Sequence, residues 1–146
     1  MAREWPLVAF TLLGQMAVGI YLFVGGPLFL SGQHLDWVAG RRLLAFVMLA
    51  VFGLTVLAAA LSILHLHHPL RAFRVLSNIR TSWLSREIFF ELLFMAASGF
   101  LAVSVWGGIG GRGFIKGVYV FGAMAGILFI LSMARLYMLE GIPAWN

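Results

Sequence analysis

The sequence predicts an all-α, polytopic membrane protein, built as a bundle of four transmembrane helices. Of its 146 residues, 62% are hydrophobic and only 10% are charged, whereas an ordinary soluble domain carries about 25% charged residues. Four long apolar stretches fill most of the chain. They lack the alternation of polar and apolar residues that a membrane β-barrel requires, so helices are the expected spanning structure. We expect one integral membrane domain over residues 1–146.

The four stretches predict helices over residues 7–30, 43–64, 88–107 and 117–137. The second is the clearest, because it runs for 22 residues without a formal charge and a helix needs about 20 to cross the hydrocarbon. The third contains one acid, Glu91. It is expected to begin near Ser85 as its N-cap, with Glu87 in the first turn, where the helix dipole favours a carboxylate.

Glycines bear on how these helices pack. Gly25 and Gly26 precede Pro27 near the end of the first helix, where a bend is tolerated among packed neighbours. Gly122 and Gly126 form a G-x-x-x-G pair in the fourth helix. That spacing is either a site of close helix approach or a chance match in a chain with 17 glycines.

Cysteine and charge limit the possible functions. The sequence has no cysteine, so it forms neither a disulfide nor an iron–sulfur cluster of its own. The net charge of +5 comes from Lys and Arg in connections and at helix ends, which fits anionic lipid headgroups. No soluble basic domain exists to bind nucleic acid. The basic residues are divided too evenly between the two sides of the membrane to predict its orientation.

Polar residues capable of chemistry gather between the second and third helices, from His65 to Glu91. Pro69 disfavours helical geometry just before it, so His65 and His67 are expected at the membrane surface. Glu91 follows Glu87 by four residues and therefore lies on the same face, one turn deeper. Ionisable groups within spans point to function.

Other helices bring further polar residues to this side. Arg135 and Tyr137 end the fourth helix, and an ion pair between Arg135 and Glu91 is the structural alternative to a functional Glu91. Gln15 lies inside the first helix, nearer the same side, where it either contacts a ligand or bonds across helices.

A quinol is one ligand that this set of residues suits. Its oxidation releases two protons with two electrons, and histidine titrates near neutrality. A carboxylate within hydrogen-bond reach could carry a proton onward. The alternative for His65 is a surface histidine without a ligand.

Haem and metal sites are disfavoured. Two axial imidazoles must lie at one depth on facing helices, but His65, His67 and His68 share one connection, and His34 lies across the membrane. The histidines also lack the spacing of a zinc site, and we predict no metal site.

Several segments together carry a resemblance to a known family. They are Glu4-Trp5-Pro6-Leu7, parts of Phe10 to Gln15, Leu64-His65-Leu66 with Pro69, Arg71-Ala72-Phe73, Leu84-Ser85 with Glu87-Ile88, and Arg135 with Tyr137. In their order and spacing the sequence resembles the membrane anchor subunit of anaerobic dimethyl sulfoxide reductase, over nearly its whole length.

The resemblance implies an anchor that binds and oxidises menaquinol, carries no haem and is not catalytic alone. Its expected partners are an iron–sulfur electron-transfer subunit and a molybdopterin catalytic subunit, in the plasma (inner) membrane of a bacterium, with a periplasmic N-terminus. It marks His65 and Glu87 for quinol binding and proton transfer, with Arg71 beside them. The candidates around this group are Glu91, His67, Arg135, Gln15 and Tyr137.

The sequence departs from the family in two ways. Family anchors are about twice as long, with twice as many spans, so this protein is expected to be a fragment or one of two short chains that assemble. His67, His68 and Glu91 stand where small or neutral residues are expected. Two alternative functions are a small proton-coupled transporter with Glu91 as its coupling acid, and an anchor scaffold without a quinone site.

Overall fold

The computed structural model describes residues 5–30, 37–65, 79–80 and 82–138. Helices make up nearly all of these ranges, and no strand occurs within them. Helix α1 (Trp5–Ile20) continues through a π-helical turn (Tyr21–Gly25) into the short α2 (Gly26–Leu30), and is followed by α3 (Trp37–His65), α4 (Trp83–Gly107) and α5 (Arg112–Tyr137). The predicted all-α fold with four spans is confirmed.

Four segments are long and apolar enough to cross a membrane: Trp5–Phe29, Gly40–Ile63, Trp83–Gly107 and Arg112–Tyr137. Their outer surfaces are strongly apolar, with Phe23 82%, Val103 65% and Trp106 63% exposed. Apolar surface on this scale would be unfavourable in water but suits contact with lipid tails. The molecule is therefore a multi-pass membrane protein.

The helices begin earlier than the apolar stretches predict. Helix α3 starts at Trp37 instead of residue 43, α4 at Trp83 instead of 88, and α5 at Arg112 instead of 117. The added turns contain arginines, of which Arg41 and Arg86 donate hydrogen bonds to backbone carbonyls at the two ends of the bundle. Charged residues thus interrupt the apolar stretches, whereas the helices continue through them.

The predicted N-cap of α4 is wrong by one turn. Ser82 has an extended backbone, and its side chain accepts a hydrogen bond from the Ser85 backbone N–H at 3.4 Å. Ser85 is itself helical and buried. Glu87 therefore lies in the second turn, and the first turn contains no acid. The helix dipole acts mainly on the first turn, so it does not account for the position of Glu87.

The four spans pack side by side with neighbours antiparallel. Helix α3 lies between α1 and α4, and α5 packs along α4. The bundle closes where α5 meets the first span, at the face that carries Gly14 and Tyr21. The interior is filled mainly by apolar residues, including Val18, Met48 and Phe129.

The first span changes its helical pitch just before Pro27. A proline has no N–H for the helix ladder and crowds the preceding turn, and the π-helical turn Tyr21–Gly25 precedes it. There Tyr21 and Tyr119 bond reciprocally: the hydroxyl of each donates to the backbone carbonyl of the other at 3.0 Å. Their rings stack with centroids 4.8 Å apart. This pair joins the first span to α5.

Both glycines of the G-x-x-x-G pair lie against side chains of other helices. A Cβ at Gly122 would overlap the Tyr21 hydroxyl oxygen, and one at Gly126 would be 3.1 Å from the Phe94 ring. The sequence left open whether this spacing is a site of close helix approach or a chance match. In the structure it is a site of close helix approach.

Candidate proton-transfer site at the polar rim

One end of the bundle brings together the N-terminal ends of α1 and α4 and the C-terminal ends of α3 and α5. We call this end the polar rim. Thr11 Oγ1 and the Tyr137 hydroxyl lie 2.9 Å apart across it. Since Thr11 already donates to the Leu7 carbonyl at 2.9 Å, Tyr137 is the donor in that bond. The link fixes the end of α5 to the first span.

Glu87 and Glu91 enter the bundle from the polar rim on the inner face of α4. They are only 3% and 4% exposed. With a rise of about 1.5 Å per residue, they lie about 6 Å and 12 Å along the helix axis from Trp83. Their spacing of four residues places both carboxyls on one face, as the sequence predicts. The sequence did not reveal that this face is buried.

One oxygen of each carboxyl has no hydrogen-bond partner. These atoms are Glu87 Oε2 and Glu91 Oε1, which are the buried unpartnered side-chain N or O atoms found in the described ranges. Leaving such an atom unpaired costs about 1 to 3 kcal/mol, and more if the group is charged. A pair of unsatisfied carboxyls in a membrane span therefore indicates a functional site.

Three buried hydroxyls differ from the carboxyls because they bond within their own helices. Thr55 donates to the Phe52 carbonyl at 2.8 Å, Ser98 to Met95 at 3.0 Å, and Ser132 to Leu128 at 2.8 Å. These bonds satisfy the hydroxyls without a partner on another helix. Within the described part of the chain, the buried side-chain oxygens without a hydrogen-bond partner belong to the two carboxyls.

Two arginines of the polar rim that the structure describes, Arg86 and Arg135, are directed to groups other than the carboxyls. Arg86 donates from Nε to the Ile79 carbonyl at 2.9 Å and from a terminal nitrogen to the Arg80 carbonyl at 2.8 Å. Its guanidinium lies 4.4 Å from the centroid of the Trp83 ring, and that of Arg135 lies 5.9 Å from it. Cation–π contacts of this kind stabilise a cation at an interface.

The ion pair between Arg135 and Glu91, considered from the sequence as a structural alternative, does not form between these two described residues. Arg135 is exposed and contacts Trp83 instead. Gln15 is also exposed, on the outer face of α1, whose inner face carries Phe10 and Gly14. The structure therefore does not bring Gln15 to the two carboxyls.

The remaining predicted residues are only partly covered by the structure. His65 is the last residue of α3, which places its backbone at the polar rim, while its side chain is not described. His67 and Arg71 lie outside the described residues. In the described ranges no group of three or more His, Cys, Asp or Glu residues is arranged to hold a metal ion.

Arg41, at the opposite end of the bundle, is a structural residue that the sequence did not reveal. Its Nε donates to the Val105 carbonyl at 2.5 Å and a terminal nitrogen to the Trp106 carbonyl at 3.1 Å. A cation there also complements the helix dipole at the C-terminal end of α4. The sequence signal that could have indicated a helix end here was Gly107-Gly108, which ends α4. Gly108 adopts a left-handed conformation at φ 67°.

Comparison with known proteins identifies the family. The sequence matches the DMSO reductase anchor subunit family (DmsC) over residues 1–146. It belongs to that family. Membership confirms the resemblance found in the sequence and agrees with a multi-pass membrane protein, because a DmsC family member is by description an anchor subunit.

Similar curated proteins have related descriptions. The sequence is 33% identical over 144 residues to anaerobic dimethyl sulfoxide reductase chain YnfH of Escherichia coli (strain K12), with 99% of this protein and 49% of that one covered. It is 34% identical over 145 residues to a subunit of anaerobic dimethyl sulfoxide reductase from Haemophilus influenzae (strain ATCC 51907 / DSM 11121 / KW20 / Rd), with 98% and 50% covered. No solved structure matches it. This member of the DmsC family spans about half the length of the curated relatives that it matches.

Proposed function

We propose that the protein is a membrane anchor subunit of a molybdopterin oxidoreductase complex of the dimethyl sulfoxide reductase type, and that it binds and oxidises menaquinol at the polar rim. Its partners are an iron–sulfur electron-transfer subunit and a molybdopterin catalytic subunit. The complex lies in the bacterial plasma membrane, with the N-terminus of this subunit on the periplasmic side. Family membership supports the anchoring role.

The observation that carries the quinol site is the buried carboxyl of Glu87 near the polar rim, whose Oε2 has no hydrogen-bond partner. A quinol is lipid-soluble and can enter from the hydrocarbon, while its hydroxyl protons must leave to water. A carboxyl about 6 Å along the helix from Trp83 lies between these two environments. It could receive a proton from the quinol, directly or through a neighbouring group, and release it to water.

The proposed roles follow from the chemistry of oxidation. Each quinol loses two electrons and two protons. The electrons pass to the iron–sulfur subunit, since this protein has no cysteine to hold a cluster. His65 accepts a hydrogen bond or a proton from the quinol head, Glu87 passes protons outward, and Arg71 orients the site. His67, Arg135 and Tyr137 belong to the surrounding group.

The test is binding of a fluorescent quinol analogue to the assembled complex in membranes. We expect Glu87→Gln and His65→Asn each to weaken binding, because each loses a proton acceptor. Lys116→Gln is a matched control that removes a charge near the start of α5, at the other end of the bundle. Unchanged affinity in both rim variants, with normal complex assembly, would show that the analogue does not bind beside Glu87 and His65. A normally assembled wild-type complex that binds no analogue would instead support an anchor scaffold without a quinone site.

A further inference from the structure

Glu91 lies deeper than any residue that the proposed quinol site requires. It is a full helical turn beyond Glu87, its side chain is only 4% exposed, and its Oε1 has no hydrogen-bond partner. Burying a carboxyl in this way is unfavourable, and a residue of similar shape without the charge would fill the same space at lower cost. A buried acid with an unsatisfied oxygen at this depth therefore calls for a role.

Among the described residues, the charged groups near the polar rim bond to partners other than the two carboxyls. Arg86 is bonded to two backbone carbonyls and stacked on Trp83, and Arg135 is exposed beside the same ring. From α5 and the first span, Tyr137 and Thr11 are bonded to each other. Helix α3 ends at His65, at the same end of the bundle. Two carboxylates on one face repel each other strongly in a medium of low dielectric constant.

We propose that Glu91 is a proton-carrying residue and forms a two-step relay with Glu87, which leads from the interior of the bundle to the polar rim. This inference rests on the proposed quinol site and extends it by one residue. At rest the pair holds one proton, on Glu91, because that carboxyl is farther from water. Glu87 is then the ionised member.

The relay moves protons only, and each step is balanced. As Glu91 passes its proton to Glu87, one O–H bond breaks and another forms. A quinol hydroxyl replaces the proton on Glu91, and Glu87 then releases its own to water at the polar rim. A second passage removes the other quinol proton, while the two electrons reduce the iron–sulfur subunit of the complex. At no stage does the pair carry two negative charges.

The first measurement is infrared spectroscopy of the assembled complex in membranes without quinol. A protonated carboxyl has a C=O stretching band that shifts in D2O. We expect Glu91→Gln to remove this band and Glu87→Gln to retain it, because the resting proton belongs to Glu91. The same band in Glu91→Gln as in the wild type would overturn the relay.

The second measurement separates proton transfer from binding and folding. General acid–base catalysis contributes about 100-fold or more, so we expect Glu91→Gln to slow quinol oxidation by about 100-fold while the quinol analogue binds with unchanged affinity. Glu91→Asp, which restores a carboxyl, should recover part of the rate. Ser132→Ala is the matched control: Ser132 is also buried, but it bonds within its own helix, so its loss should leave the rate unchanged.

The outcomes distinguish the two proposals. If no variant, including the wild type, binds the quinol analogue, the quinol site is wrong and the relay falls with it. If the wild type binds and oxidises quinol but Glu91→Gln does so at the same rate, the relay alone is overturned.

Discussion

Replacing Gly122 by alanine should destabilise the bundle far more than the same change at Gly117 on the same helix. A Cβ at position 122 would overlap the Tyr21 hydroxyl oxygen and lie 2.9 Å from the ring carbon Cζ and 3.0 Å from the Ala97 Cβ, whereas ordinary contacts begin at 3.4 Å. The Tyr21 ring would have to move by about 0.5 Å or more in an interior that is closely packed.

Tyr21 has no room for such a shift. It is fully buried, and its ring lies between those of Tyr119, with centroids 4.8 Å apart, and Phe94, at 5.0 Å. Its hydroxyl would also lose the bond to the Tyr119 carbonyl. Overpacking costs about 1 to 3 kcal/mol and a lost hydrogen bond about 1 kcal/mol. The expected loss in the free energy of unfolding is therefore about 2 to 4 kcal/mol.

The assay is SDS titration of the protein from mild detergent micelles, followed by tryptophan fluorescence. Gly117→Ala is the control, because its Cβ would meet nothing within 4 Å, and it should be neutral or stabilising by up to about 1 kcal/mol. Gly126→Ala should fall between them, since its Cβ would be 3.1 Å from Phe94. Equal midpoints for the Gly122 and Gly117 variants would refute the packing argument.

Three further predictions use the same titration. Arg41→Lys should lower the free energy of unfolding by about 1 to 2 kcal/mol, because an ammonium cannot reproduce both bonds to the end of α4. The control is Arg42→Lys at the exposed neighbouring position, which should be neutral. Equal losses in the two variants would contradict the capping role of Arg41. Tyr21→Phe and Tyr119→Phe should each lower the free energy of unfolding by about 1 kcal/mol. A double variant that is no less stable than either single variant would show that the two bonds form as a unit. Strict additivity of the two losses would show that the bonds are independent. Tyr137→Phe removes the donor to Thr11 at an exposed site, so it should lower the free energy of unfolding by less than about 0.5 kcal/mol. A loss as large as that of Tyr21→Phe would be inconsistent with that exposure.

The sequence predicts the number of spans because the bilayer alone sets how long an apolar run must be and how few charges it can contain. It predicts their ends less well, because arginines extend a helix into the headgroup region. The N-cap of α4 shows the same limit. Ser82 and Ser85 are equally suitable by residue type, and only burial of Ser85 in the bundle decides between them.

The candidate site was predictable where it depends on one helix and not where it depends on several. The spacing of Glu87 and Glu91 places them on one face, but packing against other helices decides that this face turns inward. Arg135 has the charge to pair with Glu91, yet it lies beside the Trp83 ring. Gln15 is at a suitable depth but on the exposed side of α1, which the sequence alone does not reveal.

The central claim, that a quinol binds at the polar rim beside Glu87, is tested most directly by photo-crosslinking. A photoreactive quinone analogue would be illuminated in membranes that contain the assembled complex, and its adducts located by mass spectrometry. The account predicts adducts in the first turns of α4, between Trp83 and Glu91, that excess quinol prevents. Adducts confined to the opposite end, near Arg112 and Lys116, or adducts that quinol does not suppress, would contradict it.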